Sequence, residues 1–115
     1  MATNCLFCKI NSGEIPGKFI YEDEDLIAFA DINPQAPHHY LLVPRRHIPT
    51  TLDLTADDAA LIGRIYLAAG KIARQLGFAE AGFRVVNNCN EAAGQTVWHI
   101  HFHLLAGRNL TWPPG

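Results

Sequence analysis

The stretch Trp98-His99-Ile100-His101-Phe102-His103-Leu104-Leu105 decides how this chain is read. Successive side chains of an extended strand point to opposite faces. His99, His101 and His103 therefore line one side, while Ile100, Phe102 and Leu104 enter a core on the other. A rise of about 3.3 Å per residue sets neighbouring imidazoles roughly 6 to 7 Å apart at their bases, so each can do a separate job around one substrate atom. Three readings stay open for them. They are solvated bystanders, or ligands of a catalytic zinc with an open water position, or a neutral imidazole nucleophile flanked by groups that steer a phosphate and its leaving group. The residues just upstream favour the third. Gly94 lets backbone N–H groups approach an anion, Gln95 and Thr96 offer side-chain donors, and Asn88 ends the preceding strand. Taken singly, Asn88 and Gln95 read as turn-formers.

Working outward, 115 residues support one domain with a modest core. Hydrophobic residues make up 49% and charged residues 17%, below the roughly 25% usual for a soluble domain, so part of the surface is expected to lie against another subunit. A net charge of −2, with nine Lys and Arg not gathered into a run, excludes a polynucleotide partner. No apolar stretch approaches the roughly 18 to 20 residues that cross a bilayer, and no basic segment precedes a hydrophobic run, so a cytoplasmic protein without membrane contact is expected.

The segment Cys5 to Ser12 reads as a short helix or turn. Lys18 to Glu22 and Leu26 to Ala30 read as a hairpin around Asp23, Glu24 and Asp25. Asn33 to Pro37 cannot continue a strand, because proline lacks the N–H donor, and it leads into a third strand at His39 to Val43. Thr55 and Asp58 resemble a capping box opening one long helix that stops at Gly77. On that helix Ile62, Ile65, Ala69, Ile72 and Leu76 form an apolar stripe. Ala59, Gly63, Tyr66, Gly70 and Ala73 form a second, which serves either tight internal packing or the close approach of a partner helix. Phe83 to Asn87 and Val97 to Leu105 complete an α+β fold: an antiparallel sheet of about five strands with one long helix, as a homodimer. Asp31 stands before Asn33 and Pro34, where an acid commonly starts a turn.

Beyond these patterns, the His99 to Leu105 run, Phe29 to Ile48, Arg84 to Asn90, Gly94 to Arg108 and the terminal Trp112 to Gly115 together resemble the histidine triad (HIT) family. Within it they resemble the Hint branch of nucleoside phosphoramidate hydrolases. The resemblance implies one HIT domain over 1–115. It also implies hydrolysis of purine nucleoside 5′-phosphoramidates or aminoacyl-adenylates through a covalent nucleotidyl-histidine. By position, His101 would be the nucleophile, His103 would serve the phosphate oxygens or leaving group, and the His99 carbonyl would orient His101. Asp31 would take the ribose, Ile32 would lie against the base, and Asn88, Gly94, Gln95 and Thr96 would contact phosphate. Trp112 would reach toward the other subunit's pocket. Thr96 stands where the family often has Ser, and Ala93 where Gly is common. Competing readings are a purine-nucleotide-binding or scaffold protein without turnover, and a zinc-dependent hydrolase.

Cys5 and Cys8 form a zinc-like half-site needing two more ligands. The resemblance nominates His47 and His99, which would make His99 a ligand of structural Zn2+. The alternative is two free thiols, with His47 near the active site. Cys89 reads as a bystander, His38 and His39 carry no assigned role, and Arg45 and Arg46 read as phosphate clamps or as a surface turn.

Overall fold

Asp23 closes the first hairpin. Its carboxylate accepts the N–H groups of Asp25 and Leu26 at 2.8 and 3.0 Å, turning β1 (Phe19–Glu22) into β2 (Leu26–Ala30). The computed structural model describes residues 4–115. A short helix α1 (Leu6–Ser12) precedes the hairpin, and β3 (His38–Pro44), helix α2 (Ala59–Leu76), β4 (Phe83–Val86) and β5 (Phe102–Ala106) follow it. Every pairing is antiparallel, in the spatial order β1-β2-β3-β5-β4. This is the expected mixed fold of five strands and one main helix. Among the described residues, no helix is long and apolar enough to cross a membrane.

The sheet carries a different cover on each face. α2 packs Leu61, Ile65, Ala68, Ala69 and Ile72 against Leu26, Ala28, Leu42, Ile100, Phe102 and Leu104. The opposite face holds Ile27, Leu41 and Val43 under Phe7 of α1. Thr55 opens the helical region as expected, its N–H donating to the Asp58 carboxylate at 2.8 Å, and Gly77 ends it in the left-handed conformation with φ +84°. The expected apolar stripe holds at Ile65, Ala69 and Ile72, but Leu76 is exposed and Ile62 half-buried, while Leu61 and Ala68 are buried instead. Along the second stripe Ala59, Gly63 and Tyr66 are exposed. A Cβ at Gly63 would meet nothing within 4 Å, and at Gly70 only the Arg74 guanidinium at 3.5 Å, so packing within the chain does not call for glycine there.

The histidine strand is shorter than Val97 to Leu105. Ladder pairing starts only at Phe102, which faces Leu42 of β3. Upstream, other partners serve the backbone: the Ile100 N–H donates to the Ile48 carbonyl at 2.6 Å, and the Asn87 side-chain amide donates to the His101 carbonyl at 3.0 Å. The alternation of faces nevertheless persists. Ile100, Phe102 and Leu104 are in the α2 core, and the histidines are on the other side.

Candidate active site and metal cluster

His101 is 7% exposed, and its Nδ1 lies 2.8 Å from the His99 carbonyl. A carbonyl only accepts, so Nδ1 carries the proton and Nε2 keeps a free lone pair. Burial pushes the imidazole below its ordinary pKa, with the His99 carbonyl and the Asp31 charge opposing, so the ring is neutral at pH 7. Asn87 is itself held by the Thr51 hydroxyl, which donates to its side-chain oxygen.

The next histidine is set by a chain of donors. The Gln35 backbone N–H donates to Nδ1 of His39 at 3.0 Å, so the neutral His39 ring carries its proton on Nε2. That Nε2–H lies 2.9 Å from Nδ1 of His103 and 3.4 Å from the Asp31 carboxylate. In accepting this proton, His103 Nδ1 leaves its own ring proton on Nε2. Burial, then the neighbouring His101 and His39, pushes His103 down to about 4. One Asp31 carboxylate oxygen accepts the Asn33 N–H at 2.8 Å and shapes the expected turn, and the other faces His39.

Cys5, Cys8, His47 and His99 present four ligand atoms within 4.8 Å of one another. The closest separations are 3.2 Å between the two Nδ1 atoms, 3.3 Å from Cys5 Sγ to His99, and 3.4 and 3.5 Å from Cys8 Sγ to His47 and His99. Metal–ligand bonds of about 2.0 to 2.3 Å in a tetrahedron give edges of roughly 3.3 to 3.8 Å, so the cluster could hold a metal ion. His99 is fully buried, and its Nε2 donates to the Pro44 carbonyl at 2.7 Å, which leaves the Nδ1 lone pair facing the sulfurs. Burial pushes His99 down to about 4, keeping it neutral, and burial together with Cys5 pushes the Cys8 thiol up to about 11 without a cation beside it. Asp31, His39 and His103 form a second group of ligand type. There, however, the Gln35 N–H puts a proton on the His39 nitrogen that a metal would need.

The HIT domain family matches residues 12–110. The chain belongs to the HIT family. The purine nucleoside phosphoramidase of Escherichia coli is 47% identical over 110 residues, covering 96% of this chain and 92% of that protein. An uncharacterized HIT-like protein of Synechococcus elongatus is 47% identical over 115 residues, the full length of both. A HIT family hydrolase from Legionella pneumophila superposes with a TM-score of 0.95 at 52% identity, over 97% of this chain and all of that one. The protein is thus a HIT-family hydrolase.

The remaining expected residues of this HIT hydrolase fall into two groups. Gln95 is buried and fully engaged: its amide donates to the Pro49 and Val97 carbonyls at 2.8 and 3.0 Å, and its oxygen accepts the Asn90 N–H at 2.8 Å. It braces the loop before the histidines. Thr96, Gly94, Ile32 and Trp112 are exposed and Asn88 is half-buried. Gly94 has φ +93°, a backbone conformation that favours glycine. Arg45 and Arg46 are surface ties, Arg45 to the Asp23 carbonyl, Asn11 and Glu22, and Arg46 to Asp58. Sequence reasoning missed His39, Gln35, Asn87 and Phe7. For His39 a signal existed: in an extended strand it shares a face with Leu41 and Val43.

Proposed function

We propose that the chain hydrolyses purine nucleoside 5′-phosphoramidates and aminoacyl-adenylates through a nucleotidyl intermediate on His101. The observation that carries this reading is the 2.8 Å bond from His101 Nδ1–H to the His99 carbonyl, which leaves Nε2 as a neutral nucleophile. Nε2 attacks phosphorus as the P–N bond of a phosphoramidate, or the P–O bond of an acyl-adenylate, breaks. The His103 Nε2–H donates a hydrogen bond to the phosphate oxygens or the departing group, and a departing amine takes its proton from solvent. Water then attacks the phosphorus, the P–N bond to His101 breaks to return its neutral Nδ1–H imidazole, and the proton of the water passes to solvent. The His39 Nε2–H hydrogen bond to Nδ1 holds the His103 tautomer throughout. Asp31 binds the ribose hydroxyls, Ile32 meets the base, and Asn88, Gly94 and Thr96 surround the phosphate, with Gln95 holding their loop. The name of the Escherichia coli relative supports the purine phosphoramidate class.

The two-thiol, two-imidazole donor set at Cys5, Cys8, His47 and His99 fits Zn2+. Four protein ligands fill a tetrahedral ion, so zinc would tie α1 to the end of β3 and to His99 rather than activate water. The exposed Gly63, Tyr66 and Leu67 of α2 and the edge strand β4 form the surface for a second copy, consistent with a cytoplasmic homodimer. Incubation with adenosine 5′-phosphoramidate, acid quench and peptide mass spectrometry tests the mechanism. A nucleotide adduct on the peptide carrying His101 is expected, and turnover with the adduct elsewhere, or with none under rapid quench, defeats it.

A further inference from the structure

α1 brings two kinds of side chain to the same place. Cys5, its N-terminal cap, and Cys8 in its first turn face the metal cluster. Between them Phe7 is 3% exposed and packs with Ile27, Leu41 and Val43 on the sheet. Its ring stands at 82° to the His101 imidazole, with centroids 5.1 Å apart, and at 74° to that of His99, 5.9 Å away. Phe29 lies beside it at 5.7 Å. Perpendicular aromatic contacts at these distances are attractive and directional. His101 is therefore held three ways: at Nδ1 by the His99 carbonyl, at its own carbonyl by Asn87, and over its ring by Phe7.

The first two contacts do not fully fix the ring. A hydrogen bond to one carbonyl tolerates rotation of the imidazole plane, and it competes with water wherever water can enter. Phe7 fills the space that either change requires, because interiors pack without voids of that size.

We propose that Phe7 is a positioning residue for the reaction: it holds the His101 ring in its attacking orientation and keeps water off Nδ1–H. This builds on His101 being the nucleophile, and the test separates the two ideas. The zinc-loaded full chain is compared with Phe7→Ala, Phe7→Leu and Phe7→Tyr by steady-state kinetics on adenosine 5′-phosphoramidate, zinc content, and 15N NMR of the His101 ring. Misplacing a reacting group by about 1 Å can cost about a hundredfold, so Phe7→Ala is expected to lower kcat by about tenfold to a hundredfold with KM and zinc content little changed. Its Nδ1–H signal should exchange rapidly with water. Phe7→Leu and Phe7→Tyr, which refill most of the space, should recover most of the rate and the slow-exchanging signal. Wild-type kcat with a slow-exchanging Nδ1–H in Phe7→Ala overturns the proposal. So does a parallel loss of zinc, KM and kcat in all three variants, which would mark a residue needed only for folding. If the wild-type protein forms no His101 adduct, the nucleophile reading fails while the NMR comparison still decides what Phe7 does to the ring.

Discussion

Two histidine clusters sit on the same side of the sheet, one around Cys5, Cys8, His47 and His99, the other around Asp31, His39, His101 and His103. His99 in the first, and His39, His101 and His103 in the second, have pKa values pushed down chiefly by burial. What separates them is which ring nitrogen keeps its proton. At His99, Nε2–H is spent on the Pro44 carbonyl, and a lone pair faces two sulfurs. At His39, a backbone N–H occupies Nδ1, and a proton faces His103. The first arrangement suits a cation, and the second presents an N–H to the neighbouring ring. The same residue type thus takes opposite roles according to one hydrogen bond made on its far side.

The sharpest break in this comparison is His101→Ala. It should lower turnover by at least about a thousandfold while nucleotide affinity, read by calorimetry, changes little. Stripping the metal cluster comes next. Chelation, or Cys8→Ser, should lower Tm by more than about 10 °C, while the fraction still folded hydrolyses substrate at its former rate. An immediate and fully reversible stop of chemistry in folded protein would instead make the cluster catalytic. For the second cluster, His39→Ala should lower kcat by roughly tenfold to a hundredfold, and His39→Gln, whose amide can still donate a hydrogen bond to His103, should recover much of it. Equal rates in the two variants would show that the hydrogen bond from position 39 to His103 does not matter for turnover.

The smallest effect concerns pH. His103 sits near 4 in the folded chain against 6.5 when unfolded, so the unfolded state takes up its proton first as pH falls. Its stabilising contribution is complete above 6.5 and is lost as pH drops toward 4. Thermal melts across that window should slope downward, and His103→Asn should flatten part of the slope. His99 adds to the same slope in metal-free protein.

Much of this was legible in the chain. The alternation from His99 to Leu104 correctly assigned the two faces, although the ladder begins only at Phe102. Facing depends on extended backbone, which is local, whereas the ladder depends on where β3 and β4 supply partners. The cysteine pair was visible as a half-site, but its closing ligands came only through family resemblance, since His47 and His99 lie 39 and 91 residues from Cys8. For His39 the strand alternation gives its face, shared with Leu41 and Val43, but not its role, because its partner His103 lies 64 residues away. Gln95 was read as a donor toward phosphate, and only the fold shows its amide spent on Pro49, Val97 and Asn90.

Residue order alone determined the elements, the two faces of the histidine run, the capped helix and the family, because alternation, capping and turn chemistry act over a few neighbouring residues. The family resemblance already implied the His99 carbonyl against His101; which nitrogen is free at His99 and at His39 was decided by the tertiary structure alone. That choice belongs to whichever carbonyl or N–H the fold brings against the ring: His99 for His101, Pro44 for His99 and Gln35 for His39. Buried polar groups must be paired; His99 finds its partner 55 residues away, whereas His101 and His39 are set by backbone groups two and four residues off whose aim depends on the folded loop and strand.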